Sequence, residues 1–190
     1  MSKDKMSEIK PAEQCPWWMC FTFDNFLRRR FQNPFKIMSP YVKEGWTVLD
    51  VGPGMGYFTI PIAKLVGPSG KVIAADLQRH MLDAIYRRAV RAQVQDRIVL
   101  HQTKPDEIGL TVPVDFCLAF WMVHEVRDRK RFLNQIASIL KPGGTLLVAE
   151  PKLHVSKVNF SATLNLAQEV GFQVIDRPEI FFSNVALLKT

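Results

Sequence analysis

The chain has 190 residues, 47% of them hydrophobic and 23% charged, with 25 Lys and Arg against 18 Asp and Glu for a net charge of +7. That length suits one compact domain whose core needs no disulfide or metal staple. The basic excess leaves open an acidic partner such as nucleic acid, phosphate or an anionic membrane face.

The three cysteines, Cys15, Cys20 and Cys117, form no repeated framework, so a reducing compartment, the cytoplasm, is expected. The charged start from Met1 to Met6 lacks the apolar core of a signal peptide, and no run of about 18 apolar residues predicts a membrane span.

In chain order, residues 1–14 read as a flexible polar tail and 15–44 as an aromatic and basic helical cap. The spacing of Phe23, Phe26, Leu27 and Phe31 predicts a helix beside Arg28-Arg29-Arg30 that ends near Asn33-Pro34. From residue 45 onward, short apolar runs alternate with helical stretches, the pattern of a parallel sheet with crossover helices. Strands are predicted at Trp46–Val51, Lys71–Ala75, Arg97–His101, Val114–Phe120 and Thr145–Ala149. The intervening helices are Tyr57–Leu65, a segment with Leu82, Ile85, Ala89 and Ala92 on its apolar face, one capped by Asp128 and stopped by Lys141-Pro142-Gly143-Gly144, and Ser156–Val170. Phe172–Asp176 and Val185–Leu188 lie too close together for a helix between them, so they should pair antiparallel. The predicted fold is α/β: a doubly wound, mostly parallel seven-stranded sheet with helices on both faces, an antiparallel last strand and an N-terminal helical cap.

The informative stretch is Asp50-Val51-Gly52-Pro53-Gly54-Met55-Gly56, a buried strand ending in an acid and running into alternating glycines before a helix. Glycine lets the backbone turn sharply and approach a ligand, and nucleotide-like ligands sit at the carboxyl ends of such strands where the strand order reverses. The dinucleotide fingerprint requires a glycine where Tyr57 stands, which argues against a nicotinamide oxidoreductase, and no Gly-Lys-Ser/Thr follows to make a phosphate-binding Walker loop.

This loop resembles the first motif of the class I S-adenosylmethionine-dependent methyltransferases, and the resemblance runs from about Gly45 to Thr190. Asp76, before Leu77, matches the acid that ends their second strand. Met81 stands where a side chain often packs on adenine, and Leu140 to Leu146 matches their Leu-Lys-Pro-Gly-Gly-x-Leu stretch. The resemblance implies S-adenosyl-L-methionine as cofactor, with Gly52, Gly54 and Gly56 beside its methionine and ribose. Asp50 would support the loop or meet the ammonium through water, and Asp76 would accept both ribose hydroxyls. One departure is His101-Gln102-Thr103-Lys104-Pro105-Asp106, where many members carry an adenine-reading acid. Asp106 serves only if the loop is shifted, with backbone atoms or Gln102 as the alternative.

The segment Ala119-Phe120-Trp121-Met122-Val123-His124-Glu125-Val126 corresponds to the family stretch that lines cofactor and acceptor, which places Phe120 on the cofactor and His124 and Glu125 at the reacting centre. It lacks the Asn/Asp-Pro-Pro-Tyr/Phe tetrad of amide and base methylation and is more similar to the ubiquinone/menaquinone-biosynthesis branch. An unperturbed imidazole with a pKa of about 6.5 could serve as a base if the acceptor is protonated, or His124 could simply order its loop. Glu150 and His154 are weaker acceptor-side candidates. Cys15 and Cys20 lack zinc-site spacing and give little support to metalloid methylation, and no metal is assigned. The expectation is methyl transfer to a small, apolar or aromatic acceptor. RNA or protein methylation and a non-catalytic cofactor-binding sensor or scaffold are the alternatives, nucleic acid being possible but not favoured, and the oligomeric state stays open.

Overall fold

The computed structural model describes residues 31–190. The tail at 1–14, the aromatic helix before Phe31, the Arg28-Arg29-Arg30 run, Cys15 and Cys20 lie outside the described residues.

Asn33 adopts an extended backbone, as a residue before proline should, but it also opens a short helix that the sequence reading had not placed: α1 (Pro34–Met38). Its side chain accepts the N–H groups of Phe35 and Lys36, and Pro34 occupies the first helical position, where a missing N–H is harmless. The elements that follow are β1 (Thr47–Val51), α2 (Thr59–Leu65), β2 (Lys71–Asp76), α3 (Arg79–Arg91), β3 (Ile98–Gln102), β4 (Val114–Phe120), α4 (Arg129–Ile139), β5 (Leu140–Pro151), α5 (Lys157–Glu169), β6 (Gln173–Asp176) and β7 (Ser183–Lys189).

The seven strands form one sheet in the order β3-β2-β1-β4-β5-β7-β6. All neighbours are parallel except β7, which runs antiparallel to both β5 and β6. Central strands buried on both faces read as continuous apolar runs, which is why Val48 and Leu49, or Phe116 to Ala119, are wholly enclosed. One face packs under α1, α2 and α3, with Met38, Ile62, Phe58, Phe116 and Leu118 in its core. The other packs under α4 and α5, with Phe132, Leu133, Ile136, Phe160 and Leu164. Asp128 and Ser156 cap α4 and α5 through the N–H groups of Arg131 and Asn159.

The largest departure from the expected boundaries is at β5. Lys141-Pro142-Gly143-Gly144 is not a separate stop: α4 ends at Ile139, and β5 already pairs with β4 at Leu140↔Val114. The register then slips, so that Thr145 faces Phe116, and the tetrad is an irregularity inside one long strand. Lys141 holds both carboxylate oxygens of Asp115 at 2.8 Å, and Asp115 also accepts the Thr47 N–H, so the bulge is pinned to the start of β1.

Strand order reverses between β1 and β4, which places the glycine loop, the end of β2 and the segment after β4 around one crevice at the carboxyl end of the sheet.

Candidate functional site

The glycines of the loop divide their work. A side chain on Gly52, at φ +62°, would lie 2.9 Å from Cβ of Met122, so this glycine admits the turn after β4. One on Gly56 would press on Ile85 of α3 at 3.0 Å. Gly54, at φ +55°, has nothing within 4 Å of the position a Cβ would take, and it is the backbone left open to a ligand.

Two acids stand beneath and beside that opening. Asp50 is enclosed at the end of β1, where Oδ2 accepts the hydroxyl of Thr59, the first residue of α2, at 2.7 Å. Burial pushes its carboxyl up to about 7 against the opposing effect of that hydrogen bond, with the charge of Asp76 adding to the rise. Asp76 ends β2 and accepts the N–H of Gln78 at 2.8 Å and a backbone hydrogen bond from Gly54. Burial raises it to about 6, the two backbone donors and His80 pull it down, and the charge of Glu125 raises it again. A carboxylate has about four acceptor positions, so Asp76 retains capacity for ligand hydroxyls.

Leu77 and Met81 follow on the same side, Leu77 half-buried and Met81 buried in the first turn of α3. Asp106 is exposed, left-handed at φ +61°, and its carbonyl accepts Gln135 Nε2 of α4 at 3.1 Å. Gln135 also accepts the Ile108 N–H, which fastens this loop along α4. Gln102, the alternative, lies at the crevice, with Nε2 3.3 Å from the Leu77 carbonyl. Phe120 is nearly enclosed at the end of β4, its ring 4.3 Å from that of Phe58 and 5.5 Å from that of Trp121.

After β4 the chain turns sharply through Trp121, itself at φ +60°, into a 3₁₀ turn spanning Val123–Glu125. His124 and Glu150 meet there. Glu150 Oε2 lies 2.5 Å from His124 Nδ1 and Oε1 accepts the His124 N–H at 3.1 Å, while the carboxylate is almost completely enclosed. Burial lowers the affinity of the His124 ring for a proton, but the hydrogen bond and charge of Glu150, with Glu125, outweigh it and raise the pKa above the ordinary value. Glu125 Oε1 is 4.0 Å from His124 Nε2, beyond hydrogen-bond distance, and the His154 ring is 6.3 Å away.

The His124–Glu150 pairing had a signal in sequence: adjacent parallel strands bring the residues after Phe120 beside those after Ala149, a register the structure shows as Phe120↔Ala149. A second set had none. Phe31 stacks on Phe181 at 4.8 Å, Phe181 meets Phe182 at 4.7 Å, and all three rings are about half exposed. The enclosed Gln32 donates to the Phe181 carbonyl at 2.6 Å and accepts the Tyr57 hydroxyl at 2.7 Å, tying the glycine loop to the β6–β7 turn. Trp121 Nε1 donates to Ser183 Oγ at 2.9 Å, and the Lys152 N–H to the Phe182 carbonyl. An aromatic rim is therefore tied to the residue that follows the glycine loop and to the turn after β4.

A methyltransferase-domain family model matches residues 48–144, from β1 through the β5 irregularity. The chain belongs to the S-adenosylmethionine-dependent methyltransferases. It is 30% identical over 152 residues to a ubiquinone/menaquinone biosynthesis C-methyltransferase of Pasteurella multocida, covering 77% of this chain and 57% of that one. With the enzyme of the same name from Hahella chejuensis it shares 31% over 122 residues, 64% of this chain and 49% of the relative. The chain thus spans about half the length of the curated relatives it matches. Among solved structures, a SAM-dependent methyltransferase from Aquifex aeolicus superposes with a TM-score of 0.78 at 23% identity, covering 92% of this chain and 99% of that one, which shows the same fold.

The residues present fit the family's cofactor. In a chain of net charge +7, the crevice gathers Asp50, Asp76, Glu125 and Glu150, an arrangement suited to a cation such as a sulfonium. The open space over Gly54 and the spare acceptor positions of Asp76 supply the close backbone approach and hydroxyl recognition a nucleoside needs. No helix among the described residues is long and apolar enough to cross a membrane.

Proposed function

We propose that the chain catalyses methyl transfer from S-adenosylmethionine to a small acceptor with an apolar or aromatic body, using Asp76 and the Gly54 backbone to hold the cofactor and His124 at the acceptor side. The observation that carries this is the joining of two chemistries: an open glycine beside the strand-end acids, and a set of half-exposed rings, Phe31, Phe181 and Phe182, tied through Gln32 to Tyr57 just after the glycine loop. The quinone-biosynthesis names of the curated relatives support a ring-bearing acceptor.

The bound cofactor supplies an already electrophilic methyl group on its sulfonium, so the protein's task is to align the reacting groups and exclude water. Asp76 orients by hydrogen bonding and Gly54 by close approach. Asp50 keeps the loop in place by engaging Thr59 at the start of α2. The enclosed faces of Phe120 and Met81 line this end of the sheet with apolar surface.

Calorimetry with S-adenosylmethionine, S-adenosylhomocysteine and NAD, followed by single-turnover transfer of labelled methyl into a metabolite extract, tests the reading. Binding of the first two and a labelled small product are expected. Binding of NAD alone overturns the cofactor assignment, and cofactor binding with no labelled product under any extract favours a sensor or scaffold.

A further inference from the structure

Apolar side chains left in water are ordinary when scattered singly and informative when gathered. Eleven large hydrophobic side chains are exposed among the described residues, and six of them belong to three short segments near the carboxyl end of β5: Phe31 and Phe35, Leu153 and Val158, Phe181 and Phe182. The segments are fastened to one another. Phe31 stacks on Phe181, Phe181 meets Phe182, and the Lys152 N–H donates to the Phe182 carbonyl at 2.9 Å. His154 and Val155 both donate their N–H groups to the Pro151 carbonyl, which closes a tight turn around Leu153, and Ser156 then caps α5 with Val158 in its first turn. Leu153 is 79% exposed and Val158 77%, so core packing accounts for neither. Phe182 holds its ring half out of the protein on a left-handed backbone at φ +58°, a conformation that a bulky residue keeps only where its surroundings impose it.

Cations accompany these side chains. Lys36, Lys152, Lys157 and Arg177 are exposed and form no ion pair among the described residues, against two exposed acids in the same segments, Asp176 and Glu179. The sequence just ahead of Phe31 has the same make-up: residues 15–30 hold Trp17, Trp18, Phe21, Phe23 and Phe26 with Arg28-Arg29-Arg30 and a single acid, Asp24. Aromatic and aliphatic side chains set among lysine and arginine are the composition of a surface that enters the headgroup region of a bilayer. We infer that the face made by residues 31–36, 152–158 and 176–182 docks on an anionic lipid bilayer, with its apolar side chains in the headgroup region and its cations against lipid phosphates. No helix among the described residues is long and apolar enough to cross a membrane, so this part of the chain attaches at the surface.

Charge selects this occupant over a second copy of the chain. An isologous contact would set the same four cations against themselves, and like charges across an interface are unfavourable. Segment 15–30 does not supply the opposite charge either, because it adds three arginines. An anionic bilayer satisfies both halves of the face. Each Lys or Arg close to such a surface is worth about five-fold in partitioning, and full burial of one Leu or Val side chain about ten-fold or more. The face includes none of the strand-end acids or loop glycines, so vesicle binding and cofactor binding are separate readouts.

Flotation of the full-length chain with vesicles of phosphatidylcholine, and of phosphatidylcholine mixed with phosphatidylglycerol, tests the inference. Binding to the mixed vesicles, little binding to the neutral ones, and a marked loss between about 50 and 500 mM salt are expected. Leu153→Ser combined with Val158→Ser should lower the partition coefficient about ten-fold or more, and Lys152→Ala combined with Lys157→Ala roughly 25-fold. All four positions are exposed, so the urea midpoint and the S-adenosylmethionine affinity should stay at their wild-type values in both pairs. Absence of binding to the mixed vesicles, equal binding to neutral and anionic vesicles, or paired variants that float like the wild type overturns the inference. A concentration-dependent dimer in sedimentation that is abolished by Leu153→Ser with Val158→Ser also overturns it and gives the face to a second copy.

Discussion

Thr59 donates its hydroxyl to Asp50 at 2.7 Å across the glycine loop, so the last acid of β1 and the first residue of α2 close the loop from below. Both residues are enclosed, and the carboxyl is raised to about 7 chiefly by burial. In the unfolded chain it would titrate near 3.8. Below that pH both states are protonated and nothing depends on the group. Between the two values the unfolded chain has lost its proton and the folded one has not, so stability declines as pH rises and levels off above about 7. Asp50→Asn removes the ionisable group, so in the cofactor-free protein it should match the wild type near pH 4 and exceed it at pH 8 by on the order of 2–4 kcal/mol. Urea unfolding at the two pH values checks this, and a constant difference would refute the burial argument.

Cofactor binding should carry the opposite dependence. A cation in the crevice favours the ionised acids, so affinity should rise with pH through about 6 for Asp76 and about 7 for Asp50, then flatten. S-adenosylhomocysteine lacks the sulfonium charge and should show the shallower rise in calorimetry. Asp76→Ala should weaken both ligands, with the protein's fold intact by circular dichroism.

The loop glycines give a separable pair of variants. Gly52→Ala drives a methyl group into Met122 at 2.9 Å in a left-handed backbone, and a loss of roughly 2–4 kcal/mol in stability is expected. Gly54→Ala carries only the backbone strain of ~1–2 kcal/mol, because no atom lies within 4 Å, but it places the methyl where the ligand should sit. S-adenosylmethionine affinity should fall roughly 10- to 100-fold, a steric penalty of ~1.4–2.8 kcal/mol. Equal effects of both variants on melting and on binding would show that these two glycines share one role.

These pairs also show what a linear reading can reach. The strand positions, the strand-end acids and the glycine loop were legible because burial on both faces forces continuous apolar strands, and punctuation by glycine is local. Asp106 stands exposed with its carbonyl accepting Gln135, 29 residues later on α4, and no local signal announces such a contact. The irregularity at Lys141 to Gly144 looked like a stop because proline and glycine usually end elements, but the Lys141–Asp115 pair and the neighbouring β4 hold it in the strand. The Gln32–Tyr57 and Gln32–Phe181 bonds, spanning 25 and 149 positions, lay wholly beyond periodicity.

Salt separates a small neutral acceptor from a phosphate-bearing one. Contacts to several phosphates make affinity fall by orders of magnitude between about 50 and 200 mM salt, whereas an uncharged ring compound should bind nearly alike at both. Transfer rates of labelled methyl that hold steady across that range are expected. A steep decline would move the basic excess of +7 from solvated surface to a nucleic-acid contact.

The aromatic rim makes the last prediction. Phe181 is about half exposed, stacked on Phe31 at 4.8 Å, and its carbonyl is held by Gln32 irrespective of its side chain. Phe181→Ala therefore removes a ring while leaving the backbone tie to Tyr57 in place. An aromatic contact is worth ~0.5–1.5 kcal/mol, so the acceptor KM should rise about 2- to 12-fold, with the S-adenosylmethionine dissociation constant unchanged. Phe182 stands at φ +58° and its carbonyl accepts the Lys152 N–H, so Phe182→Gly should keep the turn while removing the second ring, with a comparable effect on KM. If both variants lower the melting temperature and leave KM alone, the rings pack the β6–β7 turn and do not meet the acceptor.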